Sequence, residues 1–168
     1  MDEELLASYL DDHLAGATAA IEIAERLAAD PDLAGSMALY RQLVDERTTL
    51  EDIRTRLPVG EGLMKRALGS VGGFLTMVRD RSPLSPSPST LDDLEALAVG
   101  IWGKRLLWGT LARVAGVDDR FADVDLGSLM ARAEDQEKVV LRMRADAIDA
   151  ELHLGSPAGP HVHSAADH

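Results

Sequence analysis

The chain has no cysteine among its 168 residues. This excludes disulfides, thiol nucleophiles, iron–sulfur ligation and cysteine-based zinc sites, and it fits a reducing compartment. The chain also lacks an uninterrupted apolar run of the ~20 residues that a membrane-spanning helix needs. Its first residues, Met1 to Glu4, are acidic where a secretory signal would be basic. We therefore expect a cytoplasmic protein without a membrane span.

Positive charge and aromatic side chains are scarce. The 29 acidic residues outnumber the 17 basic ones, which gives a net charge of −12. The electrostatic field of this negative charge repels phosphate backbones, so nucleic acid is not expected as a partner. Aromatic residues make up 4% of the chain and hydrophobic residues 46%. This composition favours closely packed helices, and the predominance of arginine over lysine is typical of high-GC bacteria.

Four long segments carry apolar residues at three- and four-residue steps, which predicts four amphipathic helices. They span about residues 2–29, 31–57, 91–116 and 125–154. Asp30 and Pro31 predict the start of the second helix, with Asp30 as N-cap and Pro31 at the first helical position. Short loops follow the first and third helices, so we expect two antiparallel helical hairpins.

A long crossover, over about residues 58–89, separates the two hairpins. Its apolar, glycine-containing part at 60–81 predicts an extra short helix, and the Ser/Pro run at 82–88 predicts an extended linker. Residues 155–168 are small and polar and predict a flexible tail after a single domain over 1–154. The expected fold is all-α: a ferritin-like four-helix bundle of two antiparallel hairpins, with a crossover carrying an extra short helix.

Polar residues interrupt each of the four apolar stripes near its middle, and these residues form the candidate site. They are His13, Glu46, Lys104, Arg105, Gln136 and Glu137. A buried polar group is costly unless it is partnered, so similar depths predict one shared polar layer. Three interpretations stay open. The layer is a functional pocket, or it is a purely structural network, or Glu46, Lys104, Arg105 and Glu137 reach solvent and leave only His13 inside; either of the last two is favoured over a pocket.

A metal centre is a weaker alternative. Ferritin-like di-metal proteins carry a Glu-x-x-His motif on each of two helices, and neither motif is present. Lys104 and Arg105 would also repel a cation. The alternative ligand set is His13, Glu46, Glu95 and Glu137, with iron, manganese or zinc as the metal. We expect no cofactor, and no ordered site at the C-terminal histidines, which are His153, His161, His163 and His168.

The stretch from Gly100 to Gly109 places small residues beside Trp102 and Trp108. Small residues let another helix approach closely, or they leave a groove for a ligand. Core packing is the favoured use of this stretch.

Several short motifs resemble a group of uncharacterised bacterial proteins with a ferritin-like bundle. The motifs are Tyr9-Leu10-Asp11-Asp12-His13-Leu14-Ala15-Gly16-Ala17, Val44-Asp45-Glu46-Arg47, Ser82-Pro83-Leu84-Ser85, Leu94-Glu95-Ala96-Leu97 and Gly103-Lys104-Arg105. The resemblance covers the chain up to about Leu152. It implies the bundle fold without the di-iron ligand motif, and it implies no activity.

Motifs of catalysis are missing: there is no phosphate-cradling glycine loop, no His-Glu-x-x-His and no strand-turn-helix context for a nucleophilic serine. We predict a non-enzymatic interaction or scaffold protein that self-associates, as a homodimer, or binds another protein. The alternative is a ferritin-like protein that binds a metal or a small molecule at a degenerate mid-bundle site.

Overall fold

The computed structural model describes residues 1–58, 89–152 and 154, and these ranges contain helices and no strand. The elements are α1 (Glu3–Ala28), α2 (Ser36–Thr55), α3 (Thr90–Ala115), a 3-10 helix (Asp119–Phe121) and α4 (Leu126–Glu151). The all-α prediction is confirmed. The helix predicted over 60–81, the linker at 82–88 and the tail at 155–168 lie outside the described residues. Across the described ranges, no helix is both long and apolar enough to cross a membrane.

Side-chain caps begin three of the four α-helices that the structure describes. Asp2 and Asp125 each accept a hydrogen bond from the backbone amide three residues on, at 3.0 and 2.9 Å. Ser89 and Asp92 form a reciprocal capping box in front of α3, with both amide bonds at 3.1 Å. These carboxylates and the hydroxyl satisfy backbone donors that have no partner inside a helix, so they fix where the helices start.

The predicted start of α2 at Pro31 is wrong, because the helix begins at Ser36. The Asp30 carboxylate accepts from the backbone amide of Asp32 at 2.9 Å, so it stabilises a local turn and does not cap a helix. The reversal is completed at Gly35, whose φ of +93° lies in the left-handed region. Only glycine adopts this conformation without a steric cost, and it leads the chain into α2.

Neighbouring helices run antiparallel, as their cross-helix contacts show. In the α1 and α2 pair, Arg54 binds Asp11 at 2.8 Å, while Arg47 donates to Thr18 at 3.3 Å. The other cross-helix pairs are Tyr9 with Thr110 and Arg26 with Asp93 between α1 and α3, and Arg105 with Glu137 and Arg144 with Glu95 between α3 and α4. Because α1 opposes both α2 and α3, these two helices are parallel to each other.

One hydrophobic core lies between the helices, and each helix contributes to it. Leu10, Leu50, Leu97 and Val140, one from each helix, are all 2% exposed or less. The core has a gap, however. Within α1 no residue between Leu10 and Ala19 is fully buried, and within α3 none is between Ile101 and Leu107. The gap sits midway along both helices.

Gly35 provides a test of the turn before α2. A Cβ in the left-handed region costs about 1–2 kcal/mol, so Gly35→Ala should lower the free energy of unfolding by about that amount. Gly109 is the control, because it lies inside α3 and an added Cβ there meets no described atom within 4 Å. Gly109→Ala should raise the free energy of unfolding by about 0.4–1 kcal/mol, since alanine favours the helix. Urea unfolding measures the free energy of unfolding of both variants. Similar effects of the same sign would contradict the left-handed conformation at Gly35.

Candidate functional site

Three polar side chains meet at the centre of the bundle, from α2, α3 and α4. Glu46 and Gln136 are each 2% exposed. The Lys104 ammonium contacts both the Glu46 carboxylate and the Gln136 side-chain oxygen. The Gln136 amide donates to Glu46 at 2.9 Å and to Gln42 at 3.0 Å. We call Glu46, Lys104 and Gln136 the central cluster. Every buried polar group in it has a partner, as a low-dielectric interior requires.

Charge balance holds the central cluster together. Burial disfavours the charged amine and lowers the pKa of Lys104, while the nearby Glu46 carboxylate opposes this shift. The Glu46 carboxylate has one further cation in range, Arg132, whose Nε lies 3.8 Å away. Removing one member of a buried ion pair leaves an uncompensated charge, which costs far more than the pair contributes.

Arg105 and Glu137 lie outside the central cluster, although they neighbour its members in sequence. Arg105 binds Glu137 at 2.6 Å and Glu134 at 3.3 Å. Both partners of the shorter pair are partly exposed, at 36% and 29% of the side-chain surface. An ion pair in contact with water contributes little to stability. The structure thus divides the six predicted residues into a buried cluster, an outer pair and His13.

The alternative metal ligands are not brought together. Glu46 contacts Lys104, Glu95 binds Arg144 at 2.7 Å and Glu137 binds Arg105 at 2.6 Å. Across the residues that the structure describes, no three histidine, aspartate or glutamate side chains are grouped so that they could hold a metal ion. Each of these three carboxylates is paired with a cationic side chain of another helix.

A cavity of about 470 Å³ occupies the gap in the core between α1, α2 and α3. Small residues form much of its wall: Gly16, Ala17 and Ala20 from α1, and Gly100 and Gly103 from α3. A Cβ added at any of the three glycines would meet no atom of the described residues within 4 Å. These glycines therefore do not serve close packing between the described helices, and they leave space open between them.

Two polar groups in the cavity wall, on His13 and Trp108, lack a hydrogen-bond partner among the described residues. His13 lines the cavity and meets the ring of Tyr9 edge to face, with 4.6 Å between the ring centroids. Its imidazole has no hydrogen-bond partner among the described residues. Burial lowers the pKa of His13, with a smaller opposing effect of Asp12, so the neutral form predominates at pH 7. Trp108 forms a buried part of the wall, and its Nε1–H has no acceptor within the described part of the chain.

The cavity and the central cluster share two residues, because Glu46 and Lys104 also line the cavity. The sequence patterns identified these polar residues from their positions on the apolar stripes. They did not identify Gly16, Ala17 and Ala20 as the wall of a cavity. These three residues continue the line from His13 along α1. The available signal was the run of small side chains at successive turns of one helical face, because small side chains leave the space beside a helix unfilled.

Comparison with protein-family models, with curated proteins and with solved structures gives no match for this chain.

Lys104 and Arg105 offer a matched test of the central cluster. Lys104→Met leaves the buried Glu46 carboxylate without its main cation, so the free energy of unfolding should fall by about 3–5 kcal/mol. Arg105→Met removes an equal charge from the next position and should cost about 1 kcal/mol or less. The double variant Glu46→Gln with Lys104→Met should recover part of the lost free energy of unfolding, because glutamine carries no charge that needs a partner. Equal losses for the two single variants in urea unfolding would contradict the burial of the pair.

Proposed function

We propose that this chain is a binding protein that takes an apolar small molecule into the cavity between α1, α2 and α3. The observation that supports this proposal most directly is the space that the described residues leave open beside Gly16, Gly100 and Gly103. Of the two functions expected from the sequence, small-molecule binding has the better support from this geometry. The volume of about 470 Å³ lies within the range of about 300–1,000 Å³ that is usual for ligand sites.

The cost of the cavity supports a functional role. Protein interiors are packed as closely as organic crystals, so an unfilled space forfeits dispersion contacts. Each glycine inside a helix costs a further ~1 kcal/mol relative to alanine. At Gly16, Gly100 and Gly103 no atom in the described part of the chain lies so close that it would exclude a Cβ. When a chain keeps locally unfavourable residues without a packing reason, a functional site is the expected explanation.

A ferritin-like connectivity is part of the proposal. It is supported by the antiparallel pairs α1 with α2 and α3 with α4, and by the long connection between the parallel helices α2 and α3. Ligand sites in such bundles lie between facing helices, where this cavity lies. The lack of cysteine supports a cytoplasmic location, and the resemblance to uncharacterised bacterial proteins supports a bacterial origin.

Filling the cavity tests the proposal. Gly16→Leu and Gly100→Leu each place a side chain into the open space, and leucine also favours the helix. We expect both variants to be at least as stable as the parent chain and to bind the uncharged dye Nile red at least about tenfold more weakly, because the wall now occupies the ligand volume. Fluorescence titration measures binding and urea unfolding measures stability.

Gly109→Leu is the control for cavity filling, since Gly109 lies on α3 in open space but does not line the cavity. It should bind Nile red like the parent chain. A parent chain that does not bind the dye, or filling variants that bind it unchanged, would rule the proposed function out.

Self-association is a second candidate function, supported by an exposed apolar line on α3. Val99, Trp102 and Leu106 follow one helical face and are 61%, 55% and 50% exposed. Large exposed apolar residues in a continuous line mark interaction surfaces more often than free surface. Interfaces of homodimers bury such residues at their centre.

Leu106 separates self-association from cavity binding, because it belongs to this line but does not line the cavity. If the chain is a homodimer through α3, Leu106→Gln should weaken the dimer about tenfold or more and leave Nile red binding unchanged. Leu141→Gln on α4 is the control, since Leu141 is equally exposed at 50%. Light scattering over a concentration series measures the mass. A parent chain that is monomeric throughout excludes this candidate.

A further inference from the structure

The charged side chains that line the cavity differ in how they are compensated. Lys104 is paired with Glu46 inside the central cluster. Arg47 binds Glu51 at 2.8 Å and donates to Thr18 at 3.3 Å. Both cations therefore already have anionic partners. Neither is free to neutralise a negative charge on a ligand, and a buried charge without a partner is costly.

Asp12 is the exception among the charged lining residues. It lines the cavity from α1 and is exposed at its rim. Its carboxylate has no ion pair or hydrogen bond with any residue in the described ranges, and it is close enough to His13 to act on that ring electrostatically. Among the described lining residues, Asp12 is thus a negative charge without a counter-ion, next to a neutral imidazole whose free nitrogen can accept a hydrogen bond.

Aromatic rings also line the cavity. Tyr9 and Trp102 line the cavity, from α1 and α3. Trp102 is 55% exposed, so part of its indole surface is accessible from outside. The faces of tryptophan and tyrosine rings attract ammonium groups through their quadrupoles. A carboxylate combined with aromatic rings is an arrangement that recognises organic cations.

We propose that the ligand of this cavity is an apolar organic cation, with its hydrocarbon body among the small residues of the wall and its ammonium group at the rim between Asp12 and Trp102. This inference rests on the proposed function and names the class of its ligand. The net charge of −12 favours the approach of a cation over long distances. An anionic amphiphile would meet the same apolar wall, but its negative charge would lie near the Asp12 carboxylate. The two cations that line the cavity, Arg47 and Lys104, already have anionic partners and would not neutralise it.

Three compounds with one alkyl chain test the ligand class: octyltrimethylammonium, 1-octanol and octanoate. Their affinities are measured by displacement of Nile red from the full chain. The ammonium compound should bind about tenfold more tightly than 1-octanol, and octanoate should bind most weakly. The preference for the cation should shrink at high salt, because the Asp12 carboxylate is exposed and screened.

Two variants locate the cation. Asp12→Asn should weaken octyltrimethylammonium about threefold and leave 1-octanol unchanged. Asp45→Asn is the control, because Asp45 is exposed on α2 and changes the net charge equally without lining the cavity. Trp102→Leu should reduce the preference for the cation over 1-octanol, since leucine keeps the apolar rim but has no ring face.

The results separate this inference from the proposed function. If 1-octanol binds as tightly as the ammonium compound and Gly16→Leu abolishes both, the cavity is a ligand site but the cation class is wrong. Tighter binding of octanoate than of the cation also overturns the inference. If none of the three compounds displaces Nile red and the dye itself does not bind, the proposed function fails as well.

Discussion

A carboxylate buried at the centre of four helices needs positive charge within reach, and this requirement organises the bundle. Glu46 is 2% exposed, and the Lys104 ammonium reaches it from the diagonally placed helix α3. Gln136 of α4 completes the arrangement by donating to the same carboxylate at 2.9 Å. A rotation of either α3 or α4 about its axis would separate these groups and leave a charge or an amide without a partner. Hydrophobic side chains tolerate such rotations better, because their contacts are not directional.

The fold was predictable from the sequence where local physics decides it. The apolar spacing of the four segments and the caps Ser89 and Asp125 define helices that the structure places within a few residues of the expected ends. The start of α2 was not predictable in the same way. Asp30-Pro31 is a sound N-terminal signal, but the same carboxylate also stabilises a turn, and only the positive φ at Gly35 decides between them.

The site was predictable in part, and the limit is geometric. Lys104 and Arg105 are adjacent, and so are Gln136 and Glu137. One residue rotates a helix position by about 100°, so a sequence stripe does not decide which neighbour faces inward. The cavity between α1, α2 and α3 was harder to predict than the central cluster. Glycines at 16, 100 and 103 are compatible with close helix contact and with open space, and the choice depends on the distance between α1 and α3, which no local pattern encodes.

The diagonal ion pair also bears on the order in which the chain folds. Each hairpin can assemble from contacts that are close in sequence, but Glu46 and Lys104 are 58 positions apart. A hairpin of α1 and α2 alone would hold an uncompensated carboxylate on the face that it must bury. Water is therefore expelled from that face only when α3 arrives with its cation. We therefore expect the two halves to have little stability as separate units and the chain to unfold in a single cooperative event, despite the long crossover.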